Sequence, residues 1–194
     1  LNPNSPTTYL ANKGPVNRVF YRRDDKSPWI KWSEGDFREP AGWPHSIGYD
    51  GSIFGFGLKD RSEARLASSR LTAALLRFDE RGQTQAVLAH RDDYDLLYPV
   101  FDPVAKKLAG VGYRGERQAI AWLDERWAAL QRQFDQQLPN AVNFFVPPEQ
   151  GKRMLVYSFS DRLPGTVYLF DFQTSKLEYL IDARPWLKPA LMAE

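Results

Sequence analysis

The sequence predicts an all-β fold made of about three and a half copies of one antiparallel unit. Short strands that end on an aspartate recur as LRFD at 76–79, AWLD at 121–124 and YLFD at 168–171, which places the aspartates 45 and 47 residues apart. A second β-rich stretch precedes each of them and follows a turn that contains Asp, Pro or Gly, residue types that supply turn geometry. This spacing indicates a repeated sheet-and-turn unit.

The elements follow in order along the chain. Residues 7–10, 19–22 and 29–32 are predicted to be the last strands of an earlier unit that ends at residue 42. Three complete units are predicted over residues 43–90, 97–139 and 142–183. Their upstream strands are predicted at 49–56, 108–111 and 154–157, and the polar links 59–61, 114–117 and 160–162 are predicted hairpin tips. The last hairpin spans residues 168–181, where Leu177, Tyr179 and Ile181 alternate with polar neighbours.

One segment departs from the strand pattern. Over residues 124–138 the sequence places Trp127, Leu130, Phe134 and Leu138 on one helical face, with Asp124 positioned to cap the first turn. A short helix is therefore predicted to replace or follow the outer strand of the middle unit. Packing against the outside of a sheet is the favoured interpretation of its apolar face, and binding of a partner is the alternative.

The length of the repeat indicates a particular architecture. A unit of about 45 residues with three or four short strands is typical of a β-propeller blade, because helical repeats of this length would show 3.6-residue periodicity throughout. We therefore predict a partial β-propeller of about three and a half four-stranded antiparallel blades, with residues 1–194 as a single propeller segment and a blade end at 1–42. Closed propellers have about four to eight blades, so further blades or self-association are expected.

Composition excludes several classes of protein. With 194 residues, of which 43 % are hydrophobic and 14 % aromatic, the chain can bury a substantial core. The net charge of +2 arises from 26 basic and 24 acidic residues that are interspersed, which gives no basic patch for nucleic acid. No apolar run approaches the ~20 residues of a membrane helix, so neither nucleic acid nor membrane is an expected partner.

The chain has no cysteine, which excludes disulfides and thiolate chemistry and is compatible with cytoplasm or periplasm alike. It begins with Leu1 and has neither a basic nor an apolar leader segment. We therefore expect a processed or excised segment.

A search for reactive groups assigns no catalytic, cofactor-binding or metal-binding residue. The Gly-x-Ser-x-Gly elbow of α/β-hydrolases is missing, and the two histidines, His45 and His90, are expected to have structural or surface roles. The acidic run at Asp92, Asp93 and Asp95 lacks the Gly and Glu positions of an EF-hand, so a solvated loop is favoured over calcium binding.

Two further motifs have both a structural and a functional interpretation. The glycines of FGFG at 54–57 lie in a predicted strand with no helix after it, so relief of crowding is favoured over phosphate binding. Most of the tryptophans, including Trp122 and Trp127, are expected to be buried between blades. A ligand-stacking role stays open for Trp29 or Trp32.

Several of these segments occur in the order of a known family. The stretches PVFDP at 99–103, VGYRGER at 111–117, LDERWAAL at 123–130, SDRLPG at 160–165, YLFD at 168–171 and ARPWL at 183–187 resemble the later propeller blades of bacterial serine peptidases of the prolyl oligopeptidase family. The similarity is greatest to the acylaminoacyl-peptidase-like and dipeptidyl-peptidase-like branch. It covers most of the chain and is weakest before residue 43.

The resemblance implies a non-catalytic role. In that family a propeller covers an α/β-hydrolase domain with a Ser-Asp-His triad, and residues 184–194 would begin the linker to that domain. No triad residue and no glutamate pair for a substrate amino terminus can be assigned here. The resemblance thus implies a segment that helps gate peptide access to a triad outside this chain and contacts the remaining blades, the hydrolase domain and peptide substrates. A stand-alone β-repeat binding or scaffold domain, completed by self-association, is the alternative.

Overall fold

The computed structural model of the protein describes residues 7–13, 16–35, 42–59, 72–187 and 192. Within these residues the chain forms strands in four antiparallel sheets and one α-helix, which confirms the predicted all-β class. The chain divides into two compact units, Leu1–Pro99 and Val100–Glu194.

The first unit contains two sheets, each a meander in which consecutive strands pair. The three-stranded sheet consists of β1 (Thr7–Lys13), β2 (Val16–Arg22) and β3 (Ile30–Gly35), and the four-stranded sheet consists of β4 (Trp43–Ile47), β5 (Ile53–Leu58), β6 (Ala73–Phe78) and β7 (Thr84–Ala89). Apolar side chains of both sheets form one core cluster: Val19, Tyr21, Trp32, Ile53, Ala74, Leu76 and Phe78. The indole of Trp32 meets the ring of Phe78 edge-on at 4.6 Å. This cluster forms where the inward residues of alternating strands meet.

Two more sheets follow, and the unit boundary falls within the first strand of the third sheet. That sheet contains β8 (Leu96–Asp102), β9 (Lys107–Arg114) and β10 (Gln118–Trp122), and the fourth contains β11 (Val142–Phe144), β12 (Arg153–Phe159), β13 (Thr166–Asp171) and β14 (Lys176–Asp182). Two of the four described sheets thus have three strands, where the blade prediction gives four for each complete unit. The middle sheet lacks its fourth strand because helix α1 (Glu125–Gln137) follows β10 directly.

The predicted helix is confirmed together with its cap. The side chain of Asp124 accepts a hydrogen bond from the backbone N–H of Arg126 at 2.9 Å, which satisfies one of the free donors of the first turn. Trp127 and Phe134 are fully buried, and they pack with Ala109 of β9 and with residues of β12 and β13. The helix therefore belongs to the core of the second unit, where packing on the outside of a sheet was expected.

The hairpin tips agree with the prediction where the structure describes them. Residues 114–117 connect β9 to β10, and the turn after β12 is closed by the backbone bond from Ser160 N–H to Leu163 O at 3.1 Å. Residues 60 and 61 of the first predicted tip lie outside the described residues. No helix among the described residues is long and apolar enough to cross a membrane. The assignment of the sheets to blades of one propeller segment stays a prediction.

Candidate functional site

A cleft of about 350 Å³ lies in the second unit, between α1, β10 and β11. Its size is at the lower end of the range found for small ligand sites. The cleft combines aromatic, aliphatic, amide and charged side chains: Tyr113, Arg117, Gln118, Ala119, Ile120, Gln131, Asp135, Ala141, Val142, Asn143 and Phe144. No serine, histidine or lysine lines it, so its groups can bind a ligand but hold no activated nucleophile.

The wall of the cleft is a hydrogen-bonded network centred on Asn143, whose side chain is only 3 % exposed. Its Nδ2 donates to Leu138 O and to Asp135 Oδ1, each at 3.0 Å, and its Oδ1 accepts from Ser158 Oγ at 2.7 Å. A buried amide with all of these bonds made has a single orientation. The network therefore fixes the end of α1 against β11.

Gln131 extends this network along the helix. Its Nε2 donates to Asn143 O at 2.9 Å and to Asp135 Oδ1 at 3.0 Å, while its Oε1 accepts from Trp122 Nε1 at 3.2 Å. The edge carbonyl of β11 at Asn143 is thus satisfied by a side chain, and both ends of the Gln131 amide are occupied. The helix side of the cleft is held in place by these bonds.

The edge of β10 differs from that of β11. The backbone N–H of Leu123 donates to Ala109 O at 2.9 Å, and the same register pairs Ala121 with Val111. Because hydrogen-bonded residues alternate along an antiparallel pair, the backbone N–H and C=O of Ile120 point away from β9. Ile120 lines the cleft, and in the described part of the chain no further strand pairs with this edge.

Two charged side chains line the cleft without an ion-pair partner among the described residues. The exposed Arg117 immediately precedes β10, and no carboxylate there lies within salt-bridge distance of it. Asp135 accepts only from the neutral amides of Gln131 and Asn143. The cleft can therefore compensate charge on a ligand.

A second polar centre in this unit is structural. Asp102, 1 % exposed at the end of β8, accepts from Trp127 Nε1 at 3.0 Å and from the Arg126 guanidinium at 2.5 Å. Its other oxygen accepts from the backbone N–H groups of Val104 and Ala105 at 3.0 and 2.9 Å. All its acceptor sites face donors, so Asp102 joins the turn after β8 to the start of α1.

His90 lies in an arrangement that resembles a hydroxyl, imidazole and carboxylate series. Its Nε2 is 3.0 Å from Thr72 Oγ1, and its Nδ1 is 3.5 Å from Asp92 Oδ1. However, Thr72 is buried and its hydroxyl donates to the carbonyl of Arg91. That hydroxyl proton is not directed at the imidazole, so the contact is structural, as expected for His90.

His45 lies on β4 at the surface, as expected, where its Nδ1 is 2.7 Å from Ser46 Oγ and its ring meets Phe56 edge-on at 5.5 Å. Removal of water from the ring lowers the pKa of His45, because desolvation disfavours the imidazolium.

The acidic run after His90 diverges. The Asp93 carboxylate binds the Arg91 guanidinium at 2.7 Å, Asp95 accepts from Ala73 N–H at 2.7 Å, and the exposed Asp92 is 3.7 Å from Lys59 Nζ. Their oxygens therefore serve separate partners, and within the described ranges no group of three or more His, Asp or Glu side chains could hold a metal ion.

The crowding predicted for the FGFG glycines is confirmed. A Cβ on Gly55 would lie 2.1 Å from Trp43 O, so the neighbouring strand approaches too closely for any side chain. Trp127 is buried and Trp122 packs against the same cluster, as expected. Trp32 is also buried in a core, which removes it as a stacking surface. Trp29 is exposed and lies against the guanidinium of Arg22 at 4.7 Å.

Sequence reasoning missed the cleft and Asp102. The cleft residues come from three elements that lie apart in the sequence, and none of them forms a recognised motif. Asp102 lies in PVFDP, where Asp-Pro indicates a turn. The structure shows that β8 continues through Asp102 and that the turn begins after it. The signal that could have identified the residue is its pairing with Trp127 and Arg126.

Comparison with known proteins gives a likeness in fold. No protein-family model matches the sequence, and no curated protein gives a significant match. Among solved structures, the dipeptidyl peptidase 4 of Porphyromonas gingivalis is similar, with a TM-score of 0.50 and 11 % sequence identity. The similarity covers 87 % of this chain and 23 % of that protein, so this chain spans less than a quarter of its length.

Proposed function

We propose that this chain is a non-catalytic β-propeller segment of a prolyl oligopeptidase family serine peptidase and helps to gate peptide access to a triad outside residues 1–194. The observation that carries the proposal is the similarity in fold to part of a bacterial dipeptidyl peptidase 4 over 87 % of the chain. The four consecutive antiparallel sheets support it, since successive meanders are the units of a propeller.

The site chemistry is consistent with a segment that binds and shapes but does not hydrolyse. The described hydroxyl and imidazole pair, Thr72 and His90, lacks a free hydroxyl proton, and the cleft beside α1 holds no nucleophile. In this proposal the partners are the remaining blades, the α/β-hydrolase domain and the peptide substrates. A stand-alone β-repeat binding or scaffold domain is the second candidate, and the exposed apolar side chains on the last sheet favour it when they are covered by another copy.

The reading frame beyond Glu194 distinguishes the two. A Gly-x-Ser-x-Gly segment followed by Asp and His is expected there, and a stop codon directly after Glu194 would contradict the peptidase proposal. The purified 194-residue chain should not hydrolyse chromogenic dipeptide substrates. The complete protein should hydrolyse them, and its nucleophile Ser→Ala variant serves as the inactive control.

Gating is tested in the complete protein. The ratio of kcat/KM for a short peptide to that for a long unfolded polypeptide should fall when the segment is deleted, because a restricted entrance discriminates by size. An unchanged ratio, in a deletion variant that keeps its activity on the short peptide, would contradict gating.

A further inference from the structure

We propose that the cleft beside α1 binds an extended peptide segment, which adds to β10 as the fourth strand of the β8–β10 sheet. The inference concerns this chain alone and does not depend on the proposed function. Addition of a strand to an open sheet edge is a common mode of peptide recognition, in which main-chain hydrogen bonds supply affinity and side-chain pockets supply specificity.

The first argument is the state of the β10 edge. The outward N–H and C=O of Ile120 face the cleft, and no described strand pairs with them. Folded proteins usually protect such edges with a charge, a proline or a bulge. The strand Gln118–Trp122 has the sequence QAIAW, which contains no charged residue and no proline, and its pairing with β9 has no register shift.

The second argument is the contrast with β11 across the cleft. There the edge carbonyl of Asn143 already accepts a hydrogen bond from Gln131 Nε2 at 2.9 Å. The side chain of Gln131 is itself held by Trp122 and Asp135, so it is not available to β10. One border of the cleft is therefore satisfied and fixed, while the other presents open backbone groups to whatever enters.

The third argument is charge. Arg117 lines the cleft, directly precedes β10, and has no ion-pair partner among the residues that the structure describes. A strand aligned with β10 would bring a side chain beside this guanidinium, which favours a carboxylate. The expected ligand is thus an extended segment with alternating apolar residues and an acidic residue at one position.

The test uses the 194-residue chain and a fluorescein-labelled probe, acetyl-Thr-Val-Glu-Val-Thr-amide, in fluorescence anisotropy. Two further probes carry N-methyl groups on alternate residues. Only one set of alternate N–H groups faces β10 in an added strand, so one methylated probe should keep its affinity and the other should lose at least about tenfold. A probe with Lys in place of Glu should also bind at least about tenfold more weakly.

Two protein variants complete the test. Ile120→Pro removes the outward N–H at a position where an edge strand tolerates proline, and Arg117→Glu reverses the charge; each should weaken the Glu probe at least about tenfold. Arg162→Glu, an exposed arginine in the 160–162 tip, is the matched control and should bind as the parent chain does. If Ile120→Pro fails to fold, the methylated probes and Arg117→Glu still decide the question.

Several results would overturn the proposal: no binding of the Glu probe, equal binding of the two methylated probes, or equal loss in Arg117→Glu and Arg162→Glu. A second copy of the chain is the other candidate occupant of the edge. A dimer in light scattering that Ile120→Pro converts to a monomer would assign the edge to self-pairing and exclude the peptide.

Discussion

The recurring aspartates turn out to be devices of backbone geometry. Asp79 Oδ1 accepts from the N–H groups of Arg81 and Gln83 at 2.9 and 2.8 Å, and Asp124 caps α1. Asp171 accepts from the N–H groups two and three residues ahead, and these bonds, with a further one from Arg153, lower the pKa of Asp171. The repeat therefore marks where strands end, because aspartate readily stabilises the turn that follows.

Asp102 has the same local role but is buried, so its substitution should be costly. Asp102→Asn keeps the size of the side chain and acceptors for the turn but replaces one charged oxygen with a donor. That amide would face the N–H donors of Trp127 and Arg126 and leave them unsatisfied. We expect a loss of about 1–3 kcal/mol in the free energy of unfolding, measured by urea denaturation.

Asp161→Asn is the matched control, because Asp161 is exposed at a hairpin tip. Its effect should stay within about 0.5 kcal/mol. Equal stability losses in the two variants would show that the buried network does not stabilise the fold.

At the scale of elements, α1 holds the second unit together. The ring of Phe134 meets Phe145 at 5.3 Å and Phe170 at 5.0 Å, both edge-on, and is fully buried. Phe134→Ala should reduce the free energy of unfolding by about 3–5 kcal/mol, because it removes buried ring surface and leaves a cavity. Gln136→Ala, an exposed position on the same helix, is the control for helix propensity and should change stability by less than about 0.5 kcal/mol. Comparable losses in the two variants would contradict a packing role for α1.

The same element shows what the sequence could predict. The spacing of Trp127, Leu130 and Phe134 and the cap at Asp124 are local signals, and the helix forms where they indicate. Its neighbours are not a local property. The contacts with Phe145 and Phe170 join residues far apart in the chain, which is why packing on the outside of a sheet was predicted instead. The cleft network was not predictable for the same reason.

Strand positions were also accessible, and their irregularities were not. Alternation over residues 168–181 predicts the β13–β14 hairpin, which the structure confirms. The register shift between Val167 and Tyr168 has no sequence signal, although it changes which residue faces which. The position of Leu180 in the hairpin depends on that shift.

At the scale of the molecule, the last sheet has one covered face and one apolar face that the described residues leave exposed. Met154, Val156 and Phe170 point into the core cluster. Leu155 pairs with Leu169, and Val167 pairs with Ile181; paired residues share a face, and alternate residues on a strand face opposite ways. An apolar sheet face of this kind normally meets a partner.

This face gives the last prediction. Leu155 is 56 % exposed and Ile181 57 % exposed, so the isolated chain should self-associate through them, and light scattering should show a molecular mass that rises with concentration. The double variant Leu155→Lys with Ile181→Lys should remain monomeric, because pairing two such faces would bury its lysines. Gln173→Lys with Ser175→Lys, in the exposed β13–β14 turn, adds the same charge and should associate like the parent chain. In the complete protein of the proposed function a neighbouring blade would cover this face, so there the same two lysines should lower stability instead. A parent chain that stays monomeric over the whole concentration range would contradict the role assigned to this face.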